Sequence, residues 1–184
     1  SRRFANVDMK IVLTGFMGTG KTVVGRRLAE RLALPVVDLD DAIEAAASMA
    51  IPEIFASEGE SGFRRREREL IASVANRGSC VVATGGGAVL DPENVRNLRT
   101  GALLVCLVAE PAVILQRLGA DVRRPLLQSP DRLARIRELL EQRGPAYAQA
   151  DLSIETSGAD VEEIVDRIVH HLRLEAAGNV DTGR

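Results

Sequence analysis

The chain has 184 residues, a length that suits one α/β domain with a sizeable buried core. Its net charge of −2 leaves no overall basic field to gather nucleic-acid phosphates. No stretch approaches the ~20 apolar residues of a membrane span and no charged start leads into an apolar run, so no membrane association and a cytoplasmic location are expected.

Residues 1–8 are polar and read as a loose arm ahead of Met9, where the folded domain is expected to begin. Ile11-Val12-Leu13 is short, apolar and β-branched in part, as a buried parallel strand should be. Gly15 to Thr22 then reads Gly-Phe-Met-Gly-Thr-Gly-Lys-Thr, a complete G-x-x-x-x-G-K-[ST] loop, and Val24, Leu28 and Leu32 recur behind it at helical spacing. Strand, glycine-rich loop and helix in that order form a phosphate cradle. The glycines let successive N–H groups turn inward, and the helix N-terminus adds its positive end. Gly18, Thr19 and Gly20 fall in the cradle, Lys21 is placed to reach the β- and γ-phosphates of ATP, and the Thr22 hydroxyl to bind Mg²⁺. Of the 24 basic residues only Lys10 and Lys21 are lysine, so a compact ammonium is kept where the broad arginine fork would not fit.

Pro35 to Asp40 reads as a second strand ending in two acids at alternate positions, Asp38 and Asp40. A helix is expected over 42–50, a short one from Pro52 through Phe55, and a charged one from Ser61 to about Asn76, closed by Gly78. Val81 to Thr84 is the third strand, followed at once by Gly85, Gly86 and Gly87. Asp91-Pro92 opens another helix, Ala102 to Val108 is a very apolar fourth strand, and Pro111 begins the helix carrying Leu115 and Leu118. Residues 119–128 lack apolar periodicity and read as a mobile lid. Ser129 with Pro130 is an N-cap followed by proline at the first helical position, launching a helix that ends in Arg143-Gly-Pro-Ala-Tyr147. The last strand is Leu152 to Glu155. Asp160 and Glu163 form a capping box for the final helix, and residues 175–184 read as frayed.

Strands and helices alternate throughout, which predicts a single parallel β-sheet with helices on both faces and ligands at the strands' carboxyl ends. The two cysteines, Cys80 and Cys106, sit in or beside apolar runs and are expected to be reduced and structural. His170 and His171 have no acidic or cysteine partner at ligand spacing, so no metal site is expected there. Taken alone, Asp40 could be a helix cap as readily as a site residue, and Arg64-Arg65-Arg66 a solvated face balanced by Glu67 and Glu69.

The phosphate loop, the acidic pair, Phe63-Arg64-Arg65-Arg66-Glu67, the triple glycine, Arg124-Pro-Leu-Leu127 and Arg143-Gly-Pro-Ala-Tyr147 together resemble shikimate kinase, a member of the nucleoside-monophosphate-kinase-like P-loop group. The resemblance spans about Met9 to Leu172. It implies a P-loop kinase architecture with a mobile lid, a single domain over 9–174, a monomer, and transfer of the γ-phosphoryl of ATP to the 3-hydroxyl of shikimate with Mg²⁺, on the route to aromatic amino acids. By similarity Arg64 and Arg143 would fork the substrate carboxylate, with Glu67 one turn on from Arg64 to orient it. Asp40 would hold the reacting hydroxyl, and Gly85, Gly86 and Gly87 would let backbone approach the substrate. Arg124 would swing over the transferring phosphoryl group, Arg117 would lie against the adenine, and Asp38 would meet Mg²⁺ through water. Arg65, Arg66 and Arg68 are expected to be solvated. A gluconate kinase and a catalytically silent P-loop subunit are the rival readings.

Overall fold

The computed structural model of the chain describes residues 9–119 and 129–181, the last four as backbone only. Five strands make one parallel sheet: β1 (Lys10–Thr14), β2 (Val36–Asp38), β3 (Cys80–Ala83), β4 (Ala102–Val108) and β5 (Leu152–Glu155), in the order β2-β3-β1-β4-β5. The helices are α1 (Lys21–Leu32), α2 (Leu39–Ala47), α3 (Ile51–Ala75), α4 (Pro92–Arg99), α5 (Pro111–Leu118), α6 (Arg132–Tyr147) and α7 (Val161–Asp181).

Alternation along each strand sorts its side chains to two faces. Val12, Val82, Leu104 and Cys106 join α3, α4, α5 and α6 on one side. Ile11, Leu13, Val81, Val105 and Leu107 join α1 and α7 on the other. The central strands β1, β3 and β4 are covered on both faces, which is why they are almost wholly apolar, whereas the edge strands β2 and β5 carry Asp38, Ser153 and Glu155. A third, smaller cluster of Ile43, Ile54 and Phe63 fastens α2 to α3. At the amino end of the sheet the Lys10 ammonium, only 3% exposed, donates to the carbonyl of Ala75 at 2.7 Å, tying the end of α3 to β1.

Several sequence expectations meet the structure with differences. The second strand stops at Asp38 instead of Asp40, because the Asp38 carboxylate accepts from the amides of Asp40 and Asp41 and turns the chain into α2. The two helices expected over 52–76 are present but run together as α3, and the break between them falls on the single residue Gly59 (φ 70°, ψ −179°) instead of a loop, a conformation that glycine adopts without steric cost. Ser129 does not cap α6. Asp131 takes that place and accepts from the amide of Ala134 at 2.9 Å. The capping box of α7 is present in both directions, Asp160 with Glu163 at 2.9 Å each way. That helix continues to Asp181, past the last residues of its buried face, on the good helix formers Glu175, Ala176 and Ala177. Cys80 and Cys106 are free and buried. They lie on β3 and β4, on opposite sides of β1, with Cys80 level with Lys10 and Cys106 level with Thr14; two strand spacings and four residues of rise put them roughly 16 Å apart, beyond disulfide reach.

Candidate active site

The carboxyl ends of β1, β2 and β3 converge on the phosphate loop. Gly15 leaves β1 with φ 130°, and any side chain there would stand 2.2 Å from the Leu107 carbonyl, so the turn demands glycine twice over, for conformation and for space. Gly20, left-handed at φ 96°, is the N-cap of α1. Lys21 is 9% exposed; its Nζ donates to the Phe16 carbonyl at 2.8 Å, and the Thr19 hydroxyl donates to the same oxygen at 2.7 Å. The loop is thus held curled by its own side chains, with the ammonium inside the curl.

Next to Lys21, the Thr22 hydroxyl donates to Asp38 Oδ2 at 2.6 Å while Asp38 Oδ1 caps α2. A hydroxyl and a carboxylate in contact, both partly buried at the end of a phosphate cradle, are hard oxygen donors of the kind Mg²⁺ accepts together with phosphate oxygens and water. The residues fit that ion. Asp40 lies in the first turn of α2 and not on the strand. Capping, rather than strand alternation, therefore separates the two acids, and both line the same cleft of about 190 Å³ with Lys21, Thr22, Gly85 and Gly86.

Across this cleft stands the triple glycine. A side chain at Gly85 would meet Asp40 Oδ1 at 3.1 Å and Glu67 Oε1 at 3.2 Å; one at Gly86 would crowd the Met17 amide at 3.3 Å; one at Gly87 would stand 2.6 Å from Arg64 Nη2. Arg64 Nη1 donates to Glu67 Oε2 at 2.7 Å, and its guanidinium lies 5.2 Å from the centre of the Phe63 ring. Glu67 is 1% exposed, and burial pushes its carboxyl above the ordinary range, opposed by the charge of Arg64 and reinforced by Asp40 and Asp91. Arg143, 6% exposed, rests over Phe16 with its guanidinium carbon 5.5 Å from the ring centre and Nη1 3.4 Å from the Gly86 carbonyl. Two guanidinium groups and two carboxylates, Asp40 and Glu67, therefore face a bare glycine wall beside the phosphate loop. That arrangement can seat a small anion bearing hydroxyls beside a polyphosphate.

Arg117 is exposed on α5. Its Nη2 donates to the Thr156 carbonyl at 2.6 Å and Nη1 to the Thr156 hydroxyl at 3.0 Å, with the Gly18 carbonyl 3.4 Å away. It reaches over the phosphate loop from the side opposite the glycine wall. Arg124 and the lid expected over 119–128 lie, from 120 on, outside the described residues. Arg65 and Arg68 are exposed as expected, whereas Arg66 is partly buried and grips Glu58, its Nη2 2.6 Å from Glu58 Oε1. Among the described residues no cluster of three or more metal-ligating His, Cys, Asp or Glu occurs, and no helix is long and apolar enough to cross a membrane. Sequence reasoning gave Tyr147 no role of its own, yet its hydroxyl donates to the Gly86 carbonyl at 2.7 Å. The signal available was its place one turn after Arg143.

A sequence model of the shikimate kinase family matches residues 17–173. The shikimate kinase of Symbiobacterium thermophilum is 48% identical over 168 residues, covering 90% of this chain and 97% of its own. The structure of shikimate kinase from Acinetobacter baumannii in complex with shikimate superposes with a TM-score of 0.88 at 37% identity, covering 94% of this chain and 96% of that one. A gluconokinase from Sinorhizobium meliloti, 16% identical with a TM-score of 0.61 over 97% of this chain and 99% of its own, shares the fold alone. With the glycine wall, its two guanidinium groups and the phosphate loop in one cleft, and with relatives of this identity along nearly its whole length, the chain belongs to the shikimate kinase family.

Proposed function

We propose that the chain is an ATP:shikimate 3-phosphotransferase in which the residues of this one cleft divide the work between nucleotide and acceptor. The observation that carries the assignment of roles is the convergence of Arg64, Arg143 and Asp40 on the triple glycine, directly across from Lys21. Shikimate is a ring with one carboxylate and three hydroxyls. A carboxylate calls for bidentate forks, and Arg64 and Arg143 supply them. Asp40, at the opposite end of the same wall, holds the 3-hydroxyl and accepts its proton late in transfer, since a loose transition state does not require a strong base.

On the nucleotide side the amides of Gly18, Thr19 and Gly20 cradle the phosphates and Lys21 leaves the Phe16 carbonyl to pair with the β- and γ-oxygens. Thr22, and Asp38 through water, would hold Mg²⁺. Bound there, the ion neutralises charge on the β- and γ-phosphate oxygens. Arg117 would lie along the adenine. Arg124 would complete the charge around the phosphoryl group, and exclusion of water keeps ATP from simple hydrolysis. One catalytic domain over 9–174, a monomeric state and a cytoplasmic location accompany this reading.

Release of ADP in a coupled assay tests it. Turnover should depend on shikimate, be absent with gluconate, and fall to a low background without acceptor. Equal rates with and without shikimate would leave only a nucleotide-hydrolysing or silent P-loop protein. Sedimentation of the active protein at the mass of one chain checks the monomer.

A further inference from the structure

Tyr147 lies in the last turn of α6, 7% exposed, one turn beyond Arg143. Both side chains meet the same oxygen: the Tyr147 hydroxyl donates to the Gly86 carbonyl at 2.7 Å and Arg143 Nη1 approaches it at 3.4 Å. Gly86 is itself pressed on the phosphate loop, with the Met17 amide 3.3 Å and the Gly15 carbonyl 3.5 Å from the place of a Cβ. The Gly86–Gly87 peptide is trans, so its C=O and N–H point in opposite directions. Fixing the carbonyl toward α6 turns the Gly87 N–H the other way, on the residue whose Cβ position is 2.6 Å from Arg64 Nη2. Among the described residues that N–H meets no acceptor.

We propose that Tyr147 is a positioning residue for the acceptor: its hydroxyl locks the Gly86–Gly87 peptide so that the Gly87 N–H and the Arg64 guanidinium face one carboxylate together, while Arg143 is held in register from α6. This rests on the reading of the glycine wall and Arg143 as the acceptor site. Neither an aromatic core filler nor a helix anchor needs the hydroxyl; the lock does. Burial raises the Tyr147 phenol above its ordinary value, so it remains a donor throughout the neutral range.

Tyr147→Phe keeps the ring and deletes the lock. Its KM for shikimate should rise about fivefold, the effect of one neutral hydrogen bond, with kcat within about twofold and the KM for MgATP unchanged. Tyr147→Leu should show the same rise together with a lower Tm. A Phe variant with wild-type KM for shikimate, or one in which both KM values rise together, overturns the proposal. A second reading needs no variant: Tyr147 is the only tyrosine and the chain has no tryptophan. Shikimate added without nucleotide should therefore change the tyrosine emission saturably, and emission unchanged at saturating shikimate also overturns it. Arg143→Lys separates this inference from the one beneath it. If that variant raises the KM for shikimate and Tyr147→Phe does not, only the lock is lost; if neither does, the acceptor site itself has been misplaced.

Discussion

Arg64 and Glu67 meet at 2.7 Å one turn apart on α3, and the carboxylate of the pair is 1% exposed while the guanidinium side chain keeps 25% of its surface. One Glu67 oxygen takes Arg64; the other meets no hydrogen-bond partner among the described residues and lies by Gly85 on the same side as Asp40. A buried carboxylate with a single cationic partner is an expensive way to hold an arginine still, but it leaves the other edge of the fork open toward the glycine wall.

The first prediction follows from that burial. Desolvation raises the Glu67 pKa above its ordinary 4.5, so the folded protein holds this proton more tightly than the unfolded chain does. Its contribution to stability is then fully present below the unfolded pKa and is lost as pH rises through the raised folded value. Glu67→Gln removes the titration. The Tm of the parent relative to this variant should decline as pH rises from about 4.5 through the folded value, and a difference that grows over that window would reverse the assigned sign.

Gly87→Ala places a Cβ 2.6 Å from Arg64 Nη2 and must push the guanidinium off its seat. The KM for shikimate should rise by about 10-fold or more, the scale of a lost charge-assisted hydrogen bond, with MgATP affinity retained. Titration calorimetry with each ligand separately distinguishes this from a general loss of folding.

Lys21→Met should abolish turnover with little change in far-UV circular dichroism, because the ammonium acts on phosphate and its carbonyl contact is local to the loop. A variant with near-parental kcat would mean that the loop does not position a transferring phosphate.

The two acids separate by metal dependence. Asp40→Asn should lower kcat by on the order of 10²-fold or more, with no rescue by added Mg²⁺. Asp38→Asn should raise the Mg²⁺ concentration needed for half-maximal rate and leave shikimate binding largely intact. Asparagine is also a good N-cap, so α2 should survive the second change, whereas Asp38→Ala should cost about 1 kcal/mol of stability as well. Rescue of Asp40→Asn and not of Asp38→Asn by excess metal would exchange their roles.

What could be read from the chain alone was whatever is fixed locally. β4, β5 and the capping box of α7 depend on short apolar runs and on residues three apart, and they stand where the pattern put them. The end of β2 did not, because Asp38-Leu39-Asp40 fits strand alternation until the Asp38 side chain caps the turn. Ser129-Pro130 carried a cap signal, but Asp131, two residues on, supplies the bond that α6 uses. The partly buried Arg66 was hidden for a different reason: its partner Glu58 lies across the break at Gly59. Nothing in the local pattern set Arg64 apart from its neighbours; the family resemblance alone did, and α3 turns it toward Glu67 and the glycine wall. The Tyr147 contact to Gly86 spans 61 positions and appears only once α6 is laid against the end of β3.

Both lysines of this chain are withdrawn from solvent, Lys10 at 3% and Lys21 at 9% exposure, and every other basic side chain apart from two histidines is a guanidinium. The folded exterior consequently offers amine-directed reagents almost nothing beyond the amino terminus. An acylating or reductively alkylating probe, ordinarily a blunt tool that decorates dozens of sites, becomes here a reporter on a single loop. Label should enter at Lys21 only as the curl opens, nucleotide should protect it, and Lys10 should stay silent until the sheet itself comes apart.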